Sequence, residues 1–130
     1  MSSRIVLDTN AYSELSRGNT EILDVLSQAE RTYIPVTVLG ELFAGFRGGN
    51  QEQRNRTQLK RFLQKPSVRV LHTTEEVADH YSHIIAALKA KKAPIPTNDV
   101  WIAAHAMDRG AVLITFNKHF HHVDGLRRWK

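Results

Sequence analysis

Near the end of the chain, Ala111-Val112-Leu113-Ile114-Thr115-Phe116 forms an apolar run preceded by Gly110. A short run of this kind suits a strand buried on both faces, the situation of a strand inside a parallel sheet. Three further runs read as strands: Ile5–Leu7, Thr32–Val36 and Val68–Leu71, with a last short one expected near Leu126–Trp129. Between them the apolar spacing changes to that of helices. Ala11–Ser16 reads as a first helix stopped at Gly18. Ile22, Val25, Leu26 and Ala29 mark a second, capped by Asn19 or Thr20. Leu39, Leu42, Phe43 and Phe46 form the stripe of a third, capped by Thr37 and broken at Gly48-Gly49.

Asn50–Gln64 reads as a basic amphipathic helix with Leu59, Phe62 and Leu63 on its apolar side, ended by Pro66. Thr73 and Glu76 are spaced as a capping box for a long helix reaching about Lys91. After the stiff connector Ala93-Pro94-Ile95-Pro96, Thr97 or Asn98 is placed to cap Asp99–Arg109, with Gly110 as its stop. Alternation of this kind predicts a three-layer α/β/α sandwich with a mostly parallel central sheet, in one domain over 1–130. Neither an internal repeat nor a linker divides the chain.

Composition narrows the chemistry. No cysteine is present, so a disulfide framework, a thiolate zinc site and a cysteine nucleophile are all excluded. No unbroken apolar run, Ala111–Ile114 included, comes near the roughly 20 residues of a membrane span. With no leader pattern either, a cytoplasmic protein is expected. The net charge is +5 and it is unevenly spread. Arg47, Arg54, Arg56, Lys60, Arg61, Lys65 and Arg69 face Glu52 alone within 47–69, leaving the rest near neutral. A one-signed patch on a near-neutral body suits a polyanion such as nucleic acid, or is simply a solvated helix face. Arg54, Arg61 and Lys65 share one face of that helix and are the candidates for RNA-backbone contacts.

Parallel sheets bind ligands at the carboxyl ends of their strands. Asp8 follows the first strand, Glu41 lies one turn into the helix after the second, and Thr115 and Asn117 follow the apolar run. Asp99 opens the helix that leads into it. Glu41 sits about 150° around the helix from the Leu39/Leu42/Phe43/Phe46 stripe, toward solvent or a cleft. Each acid alone is also what a helix start accepts, as an N-cap or a dipole partner. Gathered together they repel one another and raise each other's pKa unless a cation neutralises them. Oxygen donors of this type suit magnesium, or manganese.

These residues fall within four stretches: Ile5-Val6-Leu7-Asp8-Thr9-Asn10; Pro35-Val36-Thr37-Val38-Leu39-Gly40-Glu41-Leu42; Pro96–Ala106; and Gly110–Phe120. In this order they resemble the PIN domain, most closely its VapC-type toxin branch, over nearly the whole chain. The resemblance implies a magnesium-dependent endoribonuclease paired with a small VapB-like antitoxin that blocks the site, and family habit implies a homodimer. By motif, Asp8, Glu41 and Asp99 match the family's three acids and would hold the metal. The family's fourth acid, in Thr-x-Asp-x-x-Phe, is here Asn117 within Thr115-Phe116-Asn117-Lys118-His119-Phe120. Asn117 is a neutral oxygen donor, which leaves open whether one or two metals bind. Asp124 lies past the motif. Thr9, Asn10 and Thr115 would orient Asp8 or the metal's water, or serve only as caps and strand-end partners. The resemblance implies RNA cleavage by metal-activated water attacking in line, with 5′-phosphate and 3′-hydroxyl ends.

Two alternatives remain at this level. One is an inactive PIN-like RNA-binding module, against which the three acids count. The other is a phosphatase- or receiver-like domain, which the helical settings of Glu41 and Asp99 do not suit. The histidine pairs His80/His83 and His121/His122 read as surface groups, and His119 belongs to a loop near Asn117 able to touch phosphates.

Overall fold

A computed structural model describes residues 3–130. Positions 1 and 2 of the expected domain lie outside the described residues. The elements, in chain order, are β1 (Arg4–Leu7), α1 (Thr9–Ser16), α2 (Thr20–Gln28), β2 (Arg31–Pro35), α3 (Val36–Gly48) and α4 (Glu52–Leu63). They continue with β3 (Val68–Leu71), α5 (Glu75–Lys91), α6 (Thr97–Arg109), β4 (Val112–Ile114) and a short 3-10 helix (Lys118–His122). All strand pairs are parallel and the order is β3-β2-β1-β4.

This order decides where a site can lie. From β1 the chain steps outward through β2 to β3, then returns to place β4 on the other side of β1. Right-handed crossovers then put α1–α4 on one face and α5–α6 on the other, giving the three layers. Side-chain packing agrees: Tyr12 of α1 meets Phe62 of α4 at 5.4 Å, while Tyr81 of α5 stacks on Trp101 of α6 at 3.9 Å. The connections leaving β1 and β4 run to opposite faces, so a crevice opens between their carboxyl ends. Val6, Leu7, Leu113 and Ile114, on β1 and β4, are fully buried beneath it.

Several helix starts differ from the sequence expectation. Pro35, not Thr37, is the N-cap of α3, and Pro96, not Thr97 or Asn98, is that of α6. Each proline has φ near the helical value with extended ψ (−62° and 146° for Pro35; −56° and 142° for Pro96), so the ring itself sets the entry and no side-chain cap forms. At α5 the cap is Thr74, whose Oγ1 accepts from Val77 N, rather than Thr73. Asn19 caps α2 as expected.

The basic helix α4 starts at Glu52 rather than Asn50, and buries Leu59 and Phe62. On α3 the buried residues are Val38 and Leu42; Leu39, Phe43 and Phe46 pack only partly against the core. The strand expected over Ala111–Phe116 stops at Ile114, because Thr115 turns toward Asp8 and Phe116 points outward. The strand expected near Leu126–Trp129 is reduced to one parallel bridge, Leu113 to Arg128.

Displaced from the cap, Thr73 meets His105 of α6, Oγ1 to Nε2 at 3.2 Å. His105 is 1% exposed, and burial lowers its pKa. It is therefore neutral in the folded chain at neutral pH, while the unfolded chain takes up a proton near pH 6.5. Stability on this account falls as pH drops below the unfolded pKa, and stops falling below the folded one. Chemical denaturation in steps from about pH 7.5 to 5 should show a weaker loss for His105→Gln than for the wild type. Equal slopes would remove His105 as the cause.

Candidate active site

Asp8 leaves β1 and caps α1. Its Oδ1 accepts from Ala11 N at 2.8 Å, and its Oδ2 accepts from Thr115 Oγ1 at 2.5 Å across the crevice. The cap reading and the site reading thus meet in one side chain. Asp8 is 4% exposed. Burial pushes its pKa up, the bonds from Thr115 and Ala11 pull it down, and the negative charges of Asp99 and Glu41 push it up again; the net shift is upward.

Glu41 comes to the crevice from α3. Thr9 Oγ1 donates to its Oε1, and Asn98 Nδ2 donates to its Oε2 at 3.3 Å. Asp99, in the first turn of α6, is also raised, chiefly by burial and with a contribution from Glu41; His119 opposes the shift. Nδ1 of His119 lies 3.3 Å from Asp99 Oδ2.

Asn117 completes the arrangement. Its backbone N–H donates to Thr115 Oγ1 at 2.9 Å, and its Oδ1 accepts from His119 N at 2.9 Å. That second bond fixes which amide atom is oxygen, so Nδ2 faces Asp99 Oδ2, at 3.4 Å. A continuous polar chain runs from Asp8 through Thr115 and Asn117 to Asp99 and His119.

Each expected residue can now be placed. Asp8, Glu41 and Asp99 influence one another electrostatically in one crevice, and Thr115 and Asn117 join them. Thr9 is present but braces Glu41 rather than Asp8. Asn10 is exposed on α1, and its side chain makes no hydrogen bond among the described residues. Asp124 is engaged elsewhere, with Lys91 Nζ at 2.5 Å. Arg54, Arg61 and Lys65 are exposed along α4; Arg61 and Lys65 border a groove between α4 and α1–α2, Arg54 a recess against α1 and α3, and none of them joins the acid cluster. Asn98 and His119 were not assigned to the acids by sequence reasoning. The one signal for Asn98 was its position before Asp99, where a cap was the ordinary explanation.

Among the described residues no Lys or Arg ion-pairs with Asp8, Glu41 or Asp99; the single basic side chain beside them is the imidazole of His119 on Asp99. Nor, among the described residues, do three acid or imidazole groups converge as a ready-made metal cage. Hydroxyl and amide donors hold the carboxylates near one another without closing them on one point. Oxygen donors with an excess of negative charge fit a hard divalent cation, which would draw the carboxylates together against those donors.

The family model of the PIN domain matches residues 5–126. The chain belongs to the PIN-domain family. Within it the similarity is to VapC ribonucleases. Ribonuclease VapC1 of Haemophilus influenzae (strain R2866) is 31% identical over 127 residues, covering 94% of this chain and 93% of that protein. The tRNA(fMet)-specific endonuclease VapC of Shigella flexneri is 31% identical over 103 residues, covering 78% and 76%. Among solved structures, VapBC-1 from nontypeable Haemophilus influenzae superposes with a TM-score of 0.87 at 30% identity, covering 98% of this chain and 97% of that one.

The raised carboxylates make a prediction about stability. Asp8→Asn keeps an acceptor for Ala11 N while removing one of the repelling charges. In metal-free protein it should raise Tm by roughly 2–8 °C, the span that about 1 kcal/mol commands. A divalent ion that binds the folded state at these acids would raise the Tm of the wild type, and much less that of Asp8→Asn. Thermal melts with EDTA and with magnesium check both; equal magnesium shifts would show that Asp8 holds no ion.

Proposed function

We propose that this chain, acting as one PIN unit over 1–130, is a metal-dependent endoribonuclease and the toxin of a VapBC-type pair. One observation carries the reading: three carboxylates lie close enough to influence one another at the switch point of a parallel sheet, and among the described residues no Lys or Arg ion-pairs with them. An inactive RNA-binding module would have no need to keep that repulsion.

Asp8, Glu41 and Asp99 are the residues proposed to hold magnesium, or manganese in its place. A bound ion of this kind supplies charge for the phosphate and an activated water for in-line displacement, leaving 5′-phosphate and 3′-hydroxyl ends. The chain's own part is orientation. Each hydrogen bond to a carboxylate oxygen fixes its direction and leaves lone pairs free. Thr115 and Ala11 do this for Asp8, Thr9 and Asn98 for Glu41, and Asn117 and His119 for Asp99. Asn117 takes the place of a fourth acid as a strut: its amide nitrogen faces Asp99, and its oxygen is occupied by the backbone of the 3-10 helix. With no fourth carboxylate there, a single bound ion is the proposal.

The proposed partner is a VapB-like antitoxin whose Arg or Lys pairs with the acids and competes with the metal. This is supported by the Haemophilus relative, which is a VapBC complex. A homodimer is proposed on the family's habit, and the cytoplasm as the place of action. No helix of the described residues is long and apolar enough to cross a membrane. Arg54, Arg61 and Lys65 are proposed to hold RNA backbone, contacts that position a strand without reading its sequence. The groove bordered by Arg61 and Lys65 favours a second occupant there. Its floor includes Leu15, Leu26 and Phe62 with exposed Leu23 beside them, which suits an apolar and acidic segment of a protein partner better than a bare phosphate chain.

The test is cleavage of RNA by purified protein with magnesium, with ends mapped by their 5′-phosphates. Asp99→Asn should lose at least about 100-fold in rate, the upper effect of disturbing even an outer partner of a metal ligand, and should relieve the growth arrest that expression of the wild type causes. Wild-type rates in Asp99→Asn, prepared free of active enzyme, would overturn the assignment.

A further inference from the structure

Beside the acid crevice lies a second cleft of about 240 Å3, walled by the start of the 3-10 helix and by the C-terminal segment. Thr115 and Asn117 belong to both: they bond Asp8 and Asp99 on one side and line the cleft on the other. Phe116, between them, is 47% exposed although it follows a buried strand. Its ring meets Trp129 edge-on, at 5.6 Å and 78°, which leaves aromatic surface open.

Basic groups dominate the surroundings of the two aromatics. Lys118, His121, Arg128 and Lys130 line the cleft, and among the described residues no Asp or Glu side chain does; Glu21 reaches its edge only as the partner of Lys130, whose Nζ lies 4.9 Å from the Trp129 ring centre. Arg128 makes no side-chain hydrogen bond or ion pair among the described residues, and its Nε is buried without an acceptor. A buried donor of this kind calls for a partner. Next to the residues that bond the acids, then, the surface changes from three carboxylates to an aromatic pair beside basic side chains.

We propose that this cleft is a nucleotide subsite for single-stranded RNA, in which an unpaired base stacks on Phe116 beside Trp129 while its phosphate lies among Lys118, His121 and Arg128. The proposal rests on the nuclease reading above and adds the place where the nucleotide next to the scissile phosphate sits. Aromatic faces take bases of any sequence, and cations follow the backbone. A cleft of this size holds one base, and the base must be unpaired for its face to reach the ring. A duplex would be excluded from it.

The experiment measures binding apart from chemistry. A fluorescently labelled, unstructured RNA is titrated by anisotropy against the 130-residue chain in EDTA, and its cleavage is followed separately with magnesium. Phe116→Ala should weaken binding on the order of tenfold, with Phe116→Tyr close to wild type. Lys118→Gln and Arg128→Gln should each weaken binding and lower the salt slope by about 0.7. With magnesium, the Phe116→Ala loss should appear in KM and leave kcat nearly unchanged. Lys118 is exposed, so Lys118→Gln keeps the test informative if a ring substitution disturbs folding. If the wild type cleaves RNA but Phe116→Ala and Lys118→Gln both bind it as tightly as wild type, the subsite is wrong and the nuclease reading stands. If the wild type neither binds nor cleaves RNA, both fall. If light scattering shows that Phe116→Ala instead changes the assembly while RNA affinity is kept, the patch is a protein interface and the subsite is overturned.

Discussion

Asp8 is held by two hydrogen bonds from different parts of the fold: the amide of Ala11, three residues on, and the hydroxyl of Thr115, 107 residues on. The first closes the start of α1 onto β1; the second ties the end of β1 to the end of β4. Because β1 and β4 are neighbours whose connections leave to opposite faces, this is the one place in the sheet where a crevice opens between strand ends. The carboxylate that spans it is therefore both part of the frame and part of the site. The same bonds keep it ionisable: without them, burial and two neighbouring acids would raise it further.

The other two acids are braced in the same way, by donors rather than by cations. Thr9 and Asn98 reach Glu41 from two helices, and Asn117 and His119 reach Asp99 from the N-cap and first turn of the 3-10 helix after β4. A lysine or arginine in these places would neutralise the cluster and occupy it. Hydroxyls and amides orient a carboxylate without cancelling its charge, so the repulsion persists until something positive arrives. A divalent ion and a basic side chain of an antitoxin are the two candidates, and both would act on the same three oxygen-rich groups.

Much of this was legible in the sequence. Strand runs and helical stripes predicted the alternating order, and the acids were visible because each follows a strand or lies near a helix start. Helix entries were harder. Thr37, Thr73 and Thr97 or Asn98 have the residue types of caps, but Pro35 and Pro96 set two of the entries through their rings, and Thr74 supplies the third. That substitution has a consequence: Asn98, released from capping, is the residue that reaches Glu41. The braces were hidden for a plainer reason. Thr9 and Glu41 are 32 residues apart, and Asn98 and Glu41 57 apart, so no local spacing relates them. Phe116 was hidden too, since an aromatic at the end of an apolar run reads as core.

The central claim is that three carboxylates are kept under mutual repulsion for a cation to relieve. The carboxyl carbon resonances of Asp8 and Asp99, titrated by NMR, test it directly. In metal-free protein both should titrate above the ordinary aspartate value of about 3.9, and saturating magnesium should move both midpoints well below their metal-free positions. Ordinary midpoints in the metal-free chain, unchanged by magnesium, would contradict the account.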